Sequence, residues 1–328
     1  MKKLLSLILS TVLVLSLVSC GTTDKKDEPT TGDSKTTYKV GINQLIQHPA
    51  LDAATKGFRD ALTAKLGDKV TFDEQNASGD IPTCATISNQ FVSGNYDLIM
   101  ANATPALQAA ISATKKIPIL GTSITDYGTA LDIDNWTGVS GVNVSGTSDL
   151  APLDKQADMI KELFPNAKNI AILYCSGEAN SKYQSTTIQK YMKDMGYTIK
   201  EYTFADSNDV ASVTKNAVAN SDVIYIPTDN TAASCAETIN NVTEPAKIPV
   251  VAGEEGICKG AGVATLTISY YDLGYTTGEM AYEVLVNGGD ISKMEVKYAP
   301  KFTYKYMADR AAKLGVTIPS NYEEIKAQ

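Results

Sequence analysis

Few residues in this chain could do covalent or acid–base chemistry, and their spacing does not favour it. The single histidine, His48, lies in Gln47-His48-Pro49, and no G-x-S-x-G turn would expose an activated serine. A Ser-His-Asp or Cys-His triad is therefore not expected. After Cys20, cysteines stand at 84, 175, 235 and 258 with no C-x-x-C pair, which argues against a zinc site. A G-x-x-x-x-G-K-[ST] loop is missing, and Gly253, Gly256, Gly260 and Gly262 do not fit G-x-G-x-x-G. We expect no catalytic residue, no metal and no cofactor. An Asp/Glu pair for glycoside hydrolysis is open on sequence, but nothing singles one out.

The same inventory suits binding. The two arginines, Arg59 and Arg310, read as lying on exposed helix faces beside Asp60 and Asp309, so neither is free to clamp an anion. An anionic group would fall to helix N-termini, where unpaired N–H groups and the helix dipole favour negative charge. Asn102-Ala103-Thr104-Pro105 predicts a strand end followed by a helix, with Thr104 as N-cap and Pro105 at the first helical position. The amides of Ala103 and Thr104 would then point outward, although simple capping fits these residues as well. Asn180-Ser181 opens a helix at the matching stage of the second half, with Gln184 on its first turn. The counterpart of Thr104 there is Asp229, within Pro227-Thr228-Asp229-Asn230-Thr231. A fixed acid suits a cationic amine, and an N-cap role suits the same residue.

The elements that must position these residues alternate. Tyr38–Asn43 reads as a buried strand, and Pro49–Leu66 as a helix with Leu51, Ala54, Phe58, Ala61, Leu62 and Leu66 on one face and Gly67 as its stop. Strands over Lys69–Asp73, Tyr96–Ala101, Ile117–Leu120 and Val139–Val142, with helices over Pro82–Val92 and Pro105–Ala113, complete a first set. The order restarts after Ala167 with strands Asn169–Tyr174, Thr198–Phe204 and Asp222–Ile226 and helices Ser181–Met195 and Asp209–Ala219. Asn95 to Pro105 aligns with Asn220 to Asn230 without a gap. This pattern predicts an α/β protein of two doubly wound parallel-sheet (Rossmann-like) lobes, whose strand ends face a shared cleft. Asn143–Asp149 and Thr267–Tyr271 read as crossings, and the tail from Lys297 as a third. The expected division is 38–145 plus 268–292 for lobe 1, and 146–267 plus 293–328 for lobe 2.

At the start, Lys2 and Lys3 precede an apolar run from Leu4 to Val18, a secretory signal over residues 1–19. Leu17-Val18-Ser19-Cys20-Gly21 looks like a lipobox with Cys20 as the lipidated residue. The polar stretch from Gly21 to Thr37 lacks the apolar residues a core needs and reads as a tether. The formal net charge of −8, without a basic patch, argues against nucleic acid. An exported chain could oxidise Cys235 with Cys258 if their segments are neighbours; free, buried thiols are the alternative.

His48-Pro-Ala-Leu-Asp52, Ala103-Thr-Pro-Ala-Leu-Gln108, Gly146-Thr-Ser-Asp149, Asn180-Ser181 with Gln184, Pro227-Thr-Asp-Asn-Thr231 and Ser269-Tyr-Tyr-Asp-Leu-Gly274 follow one another in this order. At these segments the chain resembles the substrate-binding lipoproteins of ABC importers of the tryptophan/tyrosine type, related in fold to type I periplasmic binding proteins. The resemblance runs from Tyr38 to Ala327. It implies lobes joined by a three-crossing hinge, an extracytoplasmic, lipid-anchored monomer, and a small ligand, an aromatic amino acid foremost, handed to a separate permease with its ATPase. It implies that Ala103, Thr104, Asn180 and Ser181 meet a carboxylate, that Asp229 meets an amine, and that Gln47, Asp126, Gln184 and Glu254 line the pocket. Asn102, Thr228 and Asn230 belong to the same segments. Tyr270 and Tyr271 are candidates for an apolar wall, with sheet-edge packing as the other reading. Cys235 and Cys258 depart from the small apolar residues usual there. A sugar or nucleoside ligand, or a membrane-tethered sensor, is the alternative.

Overall fold

The structure, a computed structural model, describes residues 37–326. The signal, the lipidation of Cys20 and most of the tether therefore lie outside the described residues. No described helix is long and apolar enough to cross a membrane.

The chain begins with strand β1 (Tyr38–Gln44), helix α1 (Pro49–Leu66), β2 (Val70–Asn76) and α2 (Ile81–Ser93). It continues through β3 (Leu98–Asn102), α3 (Thr104–Ala113), β4 (Ile119–Ile124), α4 (Tyr127–Leu131) and β5 (Val144–Ser148). Proline at the start of α1 and Gly67, with φ 54°, at its end bound that helix where the sequence places its signals. The central strands β3 and β4 are buried along their whole length, as strands covered by helices on both faces must be.

The second lobe runs α5 (Leu153–Leu163), β6 (Asn169–Cys175), α6 (Ala179–Asp194), β7 (Thr198–Phe204), α7 (Val210–Val218) and β8 (Val223–Ile226). Short helices α8 (Asn230–Ser234) and α9 (Ala236–Ala246), β9 (Val250–Ala252), α10 (Glu255–Gly260) and β10 (Ala264–Thr267) follow. Helix α11 (Tyr270–Leu285) then returns to pack along α1, and β11 (Lys297–Tyr298) pairs with β5. The chain ends in β12 (Thr303–Tyr306), α12 (Ala308–Leu314) and β13 (Glu323–Glu324) on the second sheet.

The sheets have strand orders β11-β5-β4-β3-β1-β2 and β13-β12-β10-β9-β8-β6-β7, parallel except where β12 runs against β10. Each sheet therefore reverses its winding once, between β1 and β3 and between β6 and β8. Ligands of open α/β sheets bind beyond the carboxyl ends of the strands at such a reversal.

Several expectations shift. The strand expected over Val139–Val142 lies at Val144–Ser148, inside the first sheet, so the chain leaves that sheet after Ser148 and not at 146. Lys297–Tyr298 also belongs to the first sheet, and the third crossing falls between Tyr298 and Thr303 rather than at 293. The second crossing, between β10 and α11, falls within Thr267–Tyr271.

Two glycines let α1 and α11 meet almost backbone to backbone. A Cβ on Gly274 would lie 1.9 Å from Ala54 O, and one on Gly57 would lie 2.1 Å from Tyr271 O. The core splits into patches on either face of each sheet, including Phe58, Leu62, Leu98 and Met100 under α1 and α11.

Candidate functional site

In lobe 1 the strand ends at the reversal carry the β1–α1 loop and the Asn102–Thr104 turn. Gln47 of that loop is exposed, whereas His48 beside it is buried. Asn102 is wholly buried and faces its own lobe: its Nδ2 donates to Leu51 O at 2.8 Å and to Thr55 Oγ1 at 3.0 Å. Ala103, not Thr104, is the N-cap of α3, with φ 88°, and its amide donates to Thr122 O in the sheet. That amide is thus unavailable to a ligand, while Thr104, in the first turn, has one of the N–H groups that no intrahelical acceptor reaches. Thr104 caps nothing; its Oγ1 is buried without a partner, as is Ser123 Oγ on β4. Ser123 also has a positive φ, 56°, where β4 and β5 slip in register. Two non-glycine residues held in that region cost about 1–3 kcal/mol each, strain that clusters at ligand clamps.

In lobe 2 the matching ends carry Ser176–Ser181 and Thr228–Asn230. Asp229 is buried and engaged on both oxygens: Oδ1 caps α8 at Ala232 N, 2.7 Å, and Oδ2 accepts from Cys175 N at 2.7 Å and Ser181 Oγ at 2.6 Å. Burial, then the neighbouring Glu178 carboxylate, pushes Asp229 above the usual carboxylate range. Gln184 is held by Thr228, whose N–H donates to Oε1 at 3.0 Å, and its Nε2 donates to Thr228 O at 3.1 Å. Asn180 Nδ2 also donates to Thr228 O, at 3.0 Å, and its Oδ1 has no partner.

Hydrogen bonds tie the halves together across the cleft and at the hinge. His48 Nε2 lies 3.2 Å from Asn230 Oδ1, and Gln184 Nε2 donates to Thr125 Oγ1 at 3.4 Å. At the hinge, Tyr270 OH donates to Asp149 Oδ2 at 3.0 Å, while Thr125 Oγ1 donates to Oδ1 at 3.1 Å. Burial pushes Asp149 up to about 6, against those two hydrogen bonds. Glu254 caps α10 through Gly256 N and Ile257 N, and burial pushes it up to about 7. Asp126 caps α4 from a half-buried position. Tyr271 bonds Asp60 on the flank of α1 and does not join the cluster.

Asp149, Glu178, Asp229 and Glu254 are all buried, and among the described residues none forms an ion pair with lysine or arginine. Buried carboxylates without a cation make the site one that a cationic group would stabilise. Sequence reasoning passed over Glu178, Ser123 and the role of His48, and it placed Asp149 at a crossing without giving it a role. His48 carried a signal as the sole histidine beside a helix-starting proline, and Asp149 as the end of Gly146-Thr-Ser-Asp149.

Arg310 is not on an exposed face. It is half-buried, and its guanidinium donates to the carbonyls of Cys258, Lys259, Gly260 and Gly262 at the end of α10. All four described cysteines are free, so Cys235 and Cys258 are not joined; burial pushes the Cys258 thiol up.

The chain is similar to the Tyrosine-binding protein of Clostridioides difficile strain R20291, with 41% identity over 291 residues, 87% of this chain and 84% of that protein. It is similar in structure to the ABC domain in complex with L-Trp from Streptococcus pneumonia, at 34% identity and TM-score 0.82, covering 87% of this chain and 96% of that one. Against the ligand-free, open structure of a substrate binding protein with adhesive properties from Clostridium difficile, the identity is 38% and the TM-score 0.67, over 89% and 100% of the two chains. The fold is that of type I periplasmic binding proteins, and proteins of this kind bind substrates outside the cytoplasm and are not enzymes. Residues 39–326 match the family model described as ABC transporter substrate binding protein, and the chain belongs to that family.

Proposed function

We propose that the chain captures an aromatic amino acid between its lobes and delivers it, as a monomer tethered through lipidated Cys20, to the permease and ATPase of an ABC importer. The observation that carries this reading is a set of buried polar atoms without partners on both sides of the cleft: Thr104 Oγ1, Ser123 Oγ and His48 Nδ1 in lobe 1, Asn180 Oδ1 in lobe 2. Native interiors rarely leave such atoms unpaired, and a ligand that bridges the lobes supplies what they lack. Hydroxyls beside the start of α3 suit a carboxylate. Buried acids without a neighbouring cation make the cleft favourable to an ammonium. Relatives that bind tyrosine and L-Trp support an aromatic side chain.

Closure follows from differential affinity: a ligand contacting both lobes stabilises only the form in which both are in reach. A thermal-shift screen against the amino acids, sugars and nucleosides tests the ligand class. A ligand at about a hundred times its Kd stabilises by about 2.7 kcal/mol. We expect tyrosine or tryptophan to give the largest shift; a shift with sugars or nucleosides alone would overturn the reading.

A further inference from the structure

Glu178 immediately precedes α6, is buried, and accepts five hydrogen bonds. Its Oε2 takes Asn180 Nδ2 at 3.1 Å, Asn230 N at 3.0 Å and Asn230 Nδ2 at 2.6 Å; its Oε1 takes Thr231 N and Oγ1, both at 2.8 Å. The consequence lies in the amides. An asparagine can present either its NH2 or its carbonyl end to a neighbour, but a carboxylate only accepts. Glu178 therefore draws the NH2 ends of Asn180 and Asn230 towards itself and leaves both carbonyl ends facing away. Thr228 O, also on Asn180 Nδ2, enforces the same orientation.

The effect crosses the cleft. Asn230 Oδ1 is 3.2 Å from His48 Nε2, and an amide oxygen cannot donate, so Nε2 must carry the proton. In the neutral ring Nδ1 is then a bare acceptor. Burial lowers the His48 pKa, which keeps the ring neutral. His48 Nδ1 and Asn180 Oδ1 are both buried without a partner.

We infer that Glu178 is a positioning residue that sets the hydrogen-bond polarity of the cleft, fixing Asn180, Asn230 and the tautomer of His48 so that the cleft offers acceptors to a ligand amine. The inference rests on the amino-acid reading of the site and names what selects the amino group. Asp229, saturated by its own lobe, does not take that part.

Two measurements test it. His48 is the one histidine in the chain, so a long-range proton–nitrogen correlation spectrum reports its tautomer without ambiguity. The wild type closed on its ligand should show the Nε2–H form; a dominant Nδ1–H form would overturn the inference, and this arm needs no variant to fold. Second, Glu178→Gln keeps the shape but introduces a donor, so one amide must turn round. We expect its Kd for L-tyrosine to rise about 10- to 100-fold, the loss of a hydrogen bond to a charged group, with hydroxyphenylpropionate, the amine-free counterpart, unaffected. Equal weakening of both ligands would mean a merely structural role and would overturn the inference. A wild type that binds neither compound would sink the amino-acid reading, whereas one that binds L-tyrosine yet shows the Nδ1–H form would sink the role of Glu178 alone.

Discussion

His48 Nε2 and Asn230 Oδ1 meet 3.2 Å apart across the cleft, joining the loop after the first strand of lobe 1 to the helix start after the third strand of lobe 2. Both residues are buried, so the contact forms only when the lobes are together. His48→Ala should therefore weaken ligand binding about 5- to 10-fold, the net worth of one hydrogen bond, with little change in the melting temperature of the ligand-free protein. Calorimetric titration beside a melting curve separates the two effects.

Asp229 has the opposite profile. It caps α8 and accepts from Cys175 N and Ser181 Oγ, so Asp229→Ala removes a cap and strands two buried donors. A loss of about 2–4 kcal/mol of folding stability is expected, measured by denaturant unfolding. Unchanged stability with abolished binding would return the amine-reading role to Asp229.

The pH response has a definite sign. Asp149 at about 6 and Glu254 at about 7 are raised by burial, so the folded protein holds more protons than the unfolded chain between their ordinary range and those values. Stability then rises as pH falls through that window. His48, lowered by burial, acts the other way below its ordinary 6.5, where the unfolded chain takes the proton first. Three raised acids, Asp229 included, outweigh one histidine. The ligand-free protein should melt higher at about pH 5.5 than at about pH 7.5.

Gly274 and Gly57 set the distance between α1 and α11. Gly274→Ala would place a methyl against Ala54 O and should destabilise by about 1–3 kcal/mol or more, the usual cost of overpacking. Denaturant unfolding reads it directly.

How much of this was legible in the sequence depended on whether apolar pattern carried the signal. The duplicated β-α order, α1 with its proline start and glycine stop, and the Asn180 and Asp229 turns were readable because buried faces and turn residues mark them. Strand β5 was not. Its sequence, Val144-Ser-Gly-Thr-Ser148, holds one large apolar residue, and its hydroxyls are buried by pairing across elements, Thr147 with Thr122 at 3.2 Å and with Thr277 at 2.8 Å. Arg310 was misread because its acceptors are carbonyls about fifty residues earlier in the chain, which no local pattern reveals. Thr104 was displaced by one position as cap because the positive φ of Ala103 is imposed by the sheet and the helix around it, not by its own side chain. Glu178 looked like any solvated loop acid; its value lies in the five donors that tertiary structure brings to it.

The central claim is that the unpartnered groups facing the cleft exist for an amino-acid ligand, and Thr104 tests it most directly. Calorimetric titration of L-tyrosine and L-tryptophan into the wild type and Thr104→Val, with melting curves of both ligand-free proteins, is the measurement. Because Thr104 Oγ1 has no partner in the protein, replacing it with a methyl of the same shape should leave the ligand-free protein as stable or more so, while Kd rises about 5- to 10-fold or more. Unchanged affinity in Thr104→Val, or no binding of either amino acid by the wild type, would contradict the account.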